Sequence, residues 1–110
     1  MSRSPLGEFE LTVMLVVISL GAKAYGVPIS RELEKQSGRG VSVGSVYAAL
    51  ERLEEKGLVS SSLGDPTPER GGRAKRYFQV TQKGLRQIHQ TRQLLTRLWR
   101  RLPELKGERA

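Results

Sequence analysis

The spacing of apolar positions divides this chain into a series of distinct elements. Residues 6–20 are almost continuously apolar, with Phe9, Leu11, Val13, Met14, Leu15, Val16, Val17, Ile18 and Leu20. The β-branched run at Val16, Val17 and Ile18 also suits a strand. The length of the segment, with Glu8 and Glu10 near its start, favours a helix, because negative charge stabilises a helix N-terminus. A helix apolar on all sides is buried on all sides. One face is expected to meet the chain's own core, and the other needs a second surface.

Gly21 ends this element. Tyr25, Ile29 and Leu33 then recur every fourth residue, one helical stripe reaching to about Gln36. Pro28 fits only in the first turn of that helix, where a missing N–H is harmless. Ser37, Gly38, Arg39 and Gly40 form a turn. Ser42 is a good N-cap for a third helix, in which Val43, Val46, Leu50 and Leu53 make a buried face. Gly57 fits a left-handed C-terminal cap, with Leu58 packing back on the last turn. Two short helices joined by a tight glycine-containing turn are a helix-turn-helix, whose second member is the recognition helix.

Period two follows. Val59, Ser61 and Leu63 alternate as in a half-buried strand, and Arg76, Phe78 and Val80 do the same on the return, with Tyr77 and Gln79 facing away. The tip from Gly64 to Arg73 is too rich in Pro and Gly for regular structure. Thr81 then caps a long helix over 82–102, stopped by Pro103. Its Leu85, Ile88, Arg92, Leu95, Trp99 and Leu102 form a heptad seam broken only by Arg92 and widened by Leu94 and Leu98. The expected fold class is mainly α with a small β-hairpin: a winged helix-turn-helix plus a long C-terminal dimerisation helix. The expected boundaries are 1–80 for the winged helix-turn-helix, 81–103 for the dimerisation helix and 104–110 for a polar tail, with residues 1–5 fraying.

Composition narrows the function. The chain has 110 residues and a formal charge of +8, enough for one domain with at most an appended helix. That excess attracts polyanions, either nucleic acid or an anionic surface. There are no cysteines, which removes disulfides and cysteine metal sites and suits a reducing cytoplasm. No secretory signal is visible, and the apolar run at 13–18, even extended through Phe9 and Leu20, is shorter than the ~18 residues of a membrane span. A cytoplasmic protein is expected.

The pattern resembles the PadR family of transcriptional regulators, in its short form with one C-terminal helix. The matching residues are Tyr25 and Gly26, and the run from Ser45 to Val59 that reads SVYAALERLEEKGLV. The wing run from Gly71 to Phe78 (GGRAKRYF) and the exit from Val80 to Gly84 (VTQKG) match as well. The sequence departs at Val27 and Pro28, where the family more often has an aromatic and an acidic residue; this leaves the start of the second helix open. The resemblance implies a homodimer joined through its first and last helices, repressing genes and often relieved by a small molecule.

The wing offers Arg70, Arg73, Lys75 and Arg76 around Gly71 and Gly72, which allow close approach to a phosphate or to the minor groove. The alternative is a solvated loop. On the recognition helix the DNA-contact candidates are Ser42, Ser45, Tyr47 and Arg52, beside exposed Gly44 and Ala48. No Asn or Gln lies there for bidentate base reading, so affinity is expected to come from phosphates and specificity from the wing and DNA shape. Tyr47 fits a core position equally well. The dimer candidates are Leu11, Leu15, Ile88, Arg92, Leu95, Trp99 and Leu102. Trp99 either anchors that interface or stacks on a planar effector. His89 is the only histidine and is expected to face solvent, so no metal site forms around it. No catalytic constellation is present, and neither an enzyme nor a cofactor is expected. The reading is a dimeric DNA-binding regulator, a repressor on a pseudo-palindromic operator. The competing one is a winged-helix interaction module engaging an acidic partner.

Overall fold

The computed structural model describes residues 6–64 and 74–102. Several expectations lie outside those residues: the tails at 1–5 and 104–110, the stop at Pro103 and the tip of the wing with Arg70 and Arg73. Among the described residues, four α-helices and one hairpin appear in the anticipated order. α1 spans Glu8–Leu20, α2 Gly26–Ser37, α3 Val43–Glu55 and α4 Gln82–Trp99, with β1 at Val59–Leu63 and β2 at Arg76–Val80. A short 3-10 turn, Gly21–Lys23, links α1 to α2.

The ambiguous first segment is helical from Glu8 to Leu20. Val13, Met14, Val16 and Val17 on α1 are buried in one cluster with Ile29 and Leu33 of α2, Val46, Ala49, Leu50 and Leu53 of α3, and Leu58, Val59, Phe78 and Ile88. Burying such a set supplies the main driving force for folding. Leu15 and Ile18 remain exposed on the other side of α1.

The local signals act through specific bonds. α2 begins at Gly26, which places Pro28 in its first turn. Its end is closed by Gly38 in the left-handed conformation, with the Gly38 N–H donated to the Glu34 carbonyl. The Ser42 hydroxyl accepts the Ser45 N–H at 3.0 Å and so caps α3. At the other end Gly57 has φ +77°. Its N–H reaches the Glu54 carbonyl, and the Leu58 N–H reaches that of Leu53, both at 2.9 Å. Those two bonds are a Schellman closure, which turns the chain directly into β1.

The strands are antiparallel, with Val59 opposite Val80, Ser61 opposite Phe78 and Leu63 opposite Arg76. The Phe78 N–H also bonds the Ala24 carbonyl at 2.9 Å, which ties the hairpin to the link before α2. Val59 and Phe78 hold the base of the hairpin in the core. Leu63, expected to be half-buried, is 72% exposed, because the two-stranded ribbon runs beyond the helices that would cover it.

α4 starts with a Thr81 cap on the Gly84 N–H and ends at Trp99, three residues short of the expected Leu102. Beyond it, Arg101 and Leu102 donate to Leu98 and Trp99, the three-residue spacing by which helix ends tighten. Ile88 packs into the chain's own core, and every residue from Arg92 to Leu102 is exposed.

Candidate nucleic-acid interface

The orientation of α3 is set by the turn before it. The buried Ser30 hydroxyl donates to the Val41 carbonyl at 2.5 Å, and the Val41 N–H donates to the Glu34 carboxylate at 3.0 Å. These bonds fasten the entry to α3 onto α2. With its core face covered, α3 presents Ser42, Gly44, Ser45 and Ala48 to solvent at its N-terminal end. Small side chains there leave the helix backbone accessible. The Ser42 and Ser45 hydroxyls lie 2.8 Å apart and satisfy one another. Further along, Glu51, Arg52 and Glu55 are exposed, so the C-terminal half of α3 carries charge of both signs.

Tyr47 is half-buried. A β-carbon on Gly26 would stand 2.6 Å from its ring atoms and hydroxyl, and its ring meets Phe78 edge-on at 6.2 Å. The tyrosine therefore packs between the start of α2 and the wing, in support of the surface that Ser45 and Ala48 present.

Each described cation of the proposed interface already has a partner. Arg52 Nε donates to Glu10 Oε2 at 3.0 Å, and Lys56 Nζ to Glu10 Oε1 at 3.2 Å. Burial pushes the Glu10 carboxyl up, but hydrogen bonds from Arg52 and Lys56, together with their charges, outweigh it and hold the group below its ordinary value. On the wing, Arg76 donates through Nε to the Ser61 hydroxyl at 3.1 Å and through Nη2 to Glu54 at 3.5 Å; Ser61 itself donates to Glu54 at 2.7 Å. This network fixes the return strand to α3. Lys75 lies 4.6 Å from the centre of the Tyr25 ring, a cation–π distance, and Tyr25 meets Tyr77 edge-on at 5.4 Å.

The sequence reading missed Glu10 as a partner of α3, because Glu10 also fits the ordinary role of an acid in a first helical turn. A carboxylate in the middle of an apolar run was the available signal. Much of the basic excess lies away from α3 and the hairpin. Lys83, Arg86, Arg92, Arg97, Arg100 and Arg101 lie on or just past α4 with no acid among them. Six of the eight net charges thus sit on the last helix and its end, and few on the reading surface.

The dimer candidates fall into three groups. Leu15 on α1 and Leu95, Trp99 and Leu102 at the far end of the chain are exposed, together with Ile18, Leu94 and Leu98. Leu11 is half-buried, and Arg92 is exposed. Ile88 is already covered by the chain's own core. Trp99 is 57% exposed and borders a shallow hollow of about 290 Å³ with Leu95, Thr96 and Arg100. His89 faces solvent. Among the described residues no group of His, Asp or Glu is arranged to hold a metal, and no helix is long and apolar enough to cross a membrane.

Comparison with known proteins gives a consistent picture. The model of the PadR-like transcriptional regulator family matches residues 14–90. A PadR-like regulator from Bacillus cereus superposes with a TM-score of 0.70 at 24% identity, over 92% of this chain and 93% of that one. A PadR family regulator from Eggerthella lenta gives 0.67 at 26% identity, over 92% and 89%. One from Clostridium difficile gives 0.66 at 22% identity, over 88% and 98%. No curated protein matches the chain significantly in sequence.

Proposed function

The chain belongs to the PadR-like family of transcriptional regulators, and from that membership we propose that it is a homodimeric repressor of a pseudo-palindromic operator. The observation that carries this reading is the exposed N-terminal end of α3, with Ser42, Gly44, Ser45 and Ala48 held beside the wing by Tyr47 and by the Arg76–Glu54 pair. A helix end lined by small residues enters a major groove without steric conflict, and hydroxyls at its rim bond phosphates. The wing supplies the cations: Lys75 and Arg76 at the outer end of the paired strands, and, from the sequence, Arg70 and Arg73 in the segment that joins them.

Dimerisation follows from the apolar side chains that one chain leaves uncovered. Leu15 and Ile18 on α1, and Leu94, Leu95, Leu98 and Trp99 on α4, are six large apolar groups at the surface of a 110-residue chain. Large apolar side chains left uncovered in such number on a small chain favour association with a second surface. Two protomers joined there would offer two recognition helices to half-sites about one helical turn apart.

A titration against duplex DNA at rising salt tests the reading. Specific binding should weaken with a log–log slope of about −0.9 per phosphate contact, and selection from a random duplex library should return one two-fold motif. Indifference to duplex at low salt would reject it, and would leave an acidic protein as the partner to seek.

A further inference from the structure

Glu10 is an acid where the core pattern calls for a hydrophobe. It lies on α1 beside Val13 and Met14, and only 10% of its side chain is exposed, against 52% for Arg52 and 36% for Lys56. Both carboxylate oxygens are used, one for each cation; Arg52 lies in the last turn of the recognition helix and Lys56 is its C-cap residue. Arg52 is held through Nε alone, with no other partner among the described residues. Its two Nη nitrogens therefore carry their N–H groups beyond the pair.

We propose that Glu10 is a positioning residue for DNA recognition, which gathers Arg52 and Lys56 so that α3 meets a phosphate with one oriented guanidinium and not with two free cations. The inference rests on the DNA-binding reading above. Its logic is charge and geometry. A free cation on a recognition helix attracts any phosphate backbone, and such contacts carry no sequence information by themselves. Glu10 lowers the charge of the trio from +2 to +1 and fixes the direction of the remaining donor. Specificity is a difference between two affinities, so restraining the sequence-blind attraction raises discrimination even where it lowers total affinity. Burial alone would favour a neutral carboxyl, and the two cations overcome that preference, so Glu10 carries its charge at neutral pH. A hydrophobic residue at this position would fill the core at less cost; what it would lack is this hold on Arg52.

The test measures binding of the full chain to two duplexes, one selected from a random library by the parent protein and one of random sequence, between 50 and 200 mM salt. Glu10→Gln should steepen the slope on random duplex by about 0.9, so that the affinity lost across that salt range grows about threefold. Its preference for the selected duplex should shrink. Glu10→Asp, which keeps the charge, should retain the parent slope. Glu10→Gln with Arg52→Gln should bring the slope back toward the parent. Arg52→Gln alone leaves Glu10 paired with Lys56 and should make the slope shallower by about 0.9; this variant decides the matter if Glu10→Gln fails to fold. A Glu10→Gln slope equal to the parent's, whatever its melting temperature, overturns the inference while the DNA reading stands. A parent protein indifferent to both duplexes overturns the DNA reading, and this inference with it.

Discussion

Gly84, in the first turn of α4, faces the carbonyl of Leu58 so closely that no β-carbon fits between them. The Val80 Cγ1 and the Met14 Cε would lie 2.7 and 3.0 Å from such an atom. The start of α4 therefore touches the hairpin base and α1 through its backbone. Ala normally stabilises a helix interior relative to Gly by about 1 kcal/mol, so the two effects oppose one another. Overpacking against a backbone carbonyl should win, and Gly84→Ala should cost about 1–3 kcal/mol. For a chain of this size each kcal/mol corresponds to about 4–8 °C in melting temperature. A thermal melt at or above the parent's would mean that α4 does not dock this tightly.

The Glu10 pair makes a second prediction, for acid. Its carboxyl lies below its ordinary value in the folded chain, so its contribution to stability is present above the unfolded value near 4.3 and is lost as pH falls through the folded one. Glu10→Gln should melt lower than the parent at pH 7, and the gap should close as pH falls below about 4.3. Other carboxylates titrate in both proteins, so the difference between the two curves isolates Glu10. A gap independent of pH would refute the account.

Local rules made most of the fold legible. Ser42, Gly57 and Thr81 act at the positions where short-range hydrogen bonding demands them, and the period-two alternation of Phe78 with its neighbours locates the return strand. The family resemblance, carried by the runs at Ser45–Val59 and Val80–Gly84, was also readable and matched the fold found. What could not be read depends on contacts distant in sequence. Glu10 meets Arg52 and Lys56 more than forty residues away, and no periodicity within α1 signals that meeting. Ile88 follows the same heptad as Leu95, yet the chain's own core covers the first of these and not the second. Leu63 obeys the strand alternation but lies past the helices that would bury it. In each case the pattern supplied the face, and tertiary packing decided what that face meets.

Arg76 bonds Ser61 and Glu54 across to α3, whereas Arg73 lies outside the described residues. An exposed pair of this kind is worth about 0–1 kcal/mol. Arg76→Ala should therefore lower stability by less than about 1 kcal/mol while weakening DNA binding, since it releases Glu54 toward the phosphates. Arg73→Ala should weaken binding with no change in melting temperature. Paired thermal melts and salt titrations check both, and a large loss of stability in Arg73→Ala would make that residue structural.

The two seam positions Ile88 and Leu95 give the most direct test of association. Ile88 is 9% exposed inside one chain and Leu95 is 47% exposed, although they lie seven residues apart on one helical face. A charge at Ile88 must be buried with no partner, which a small core does not tolerate, so Ile88→Glu should not fold. A charge at Leu95 stays in water within a single chain and meets an apolar surface only when a second copy is present. Leu95→Glu should thus be a folded monomer by light scattering, with the core and the hairpin intact. The outer part of α4 then has nothing to pack against, and isolated helices of so few residues are marginal in water. Far-ultraviolet circular dichroism should show a loss of helix confined to about the last two to three turns of α4. A Leu95→Glu chain that remains dimeric would refute the seam, and one that unfolds completely would mean that the protomer has no independent stability.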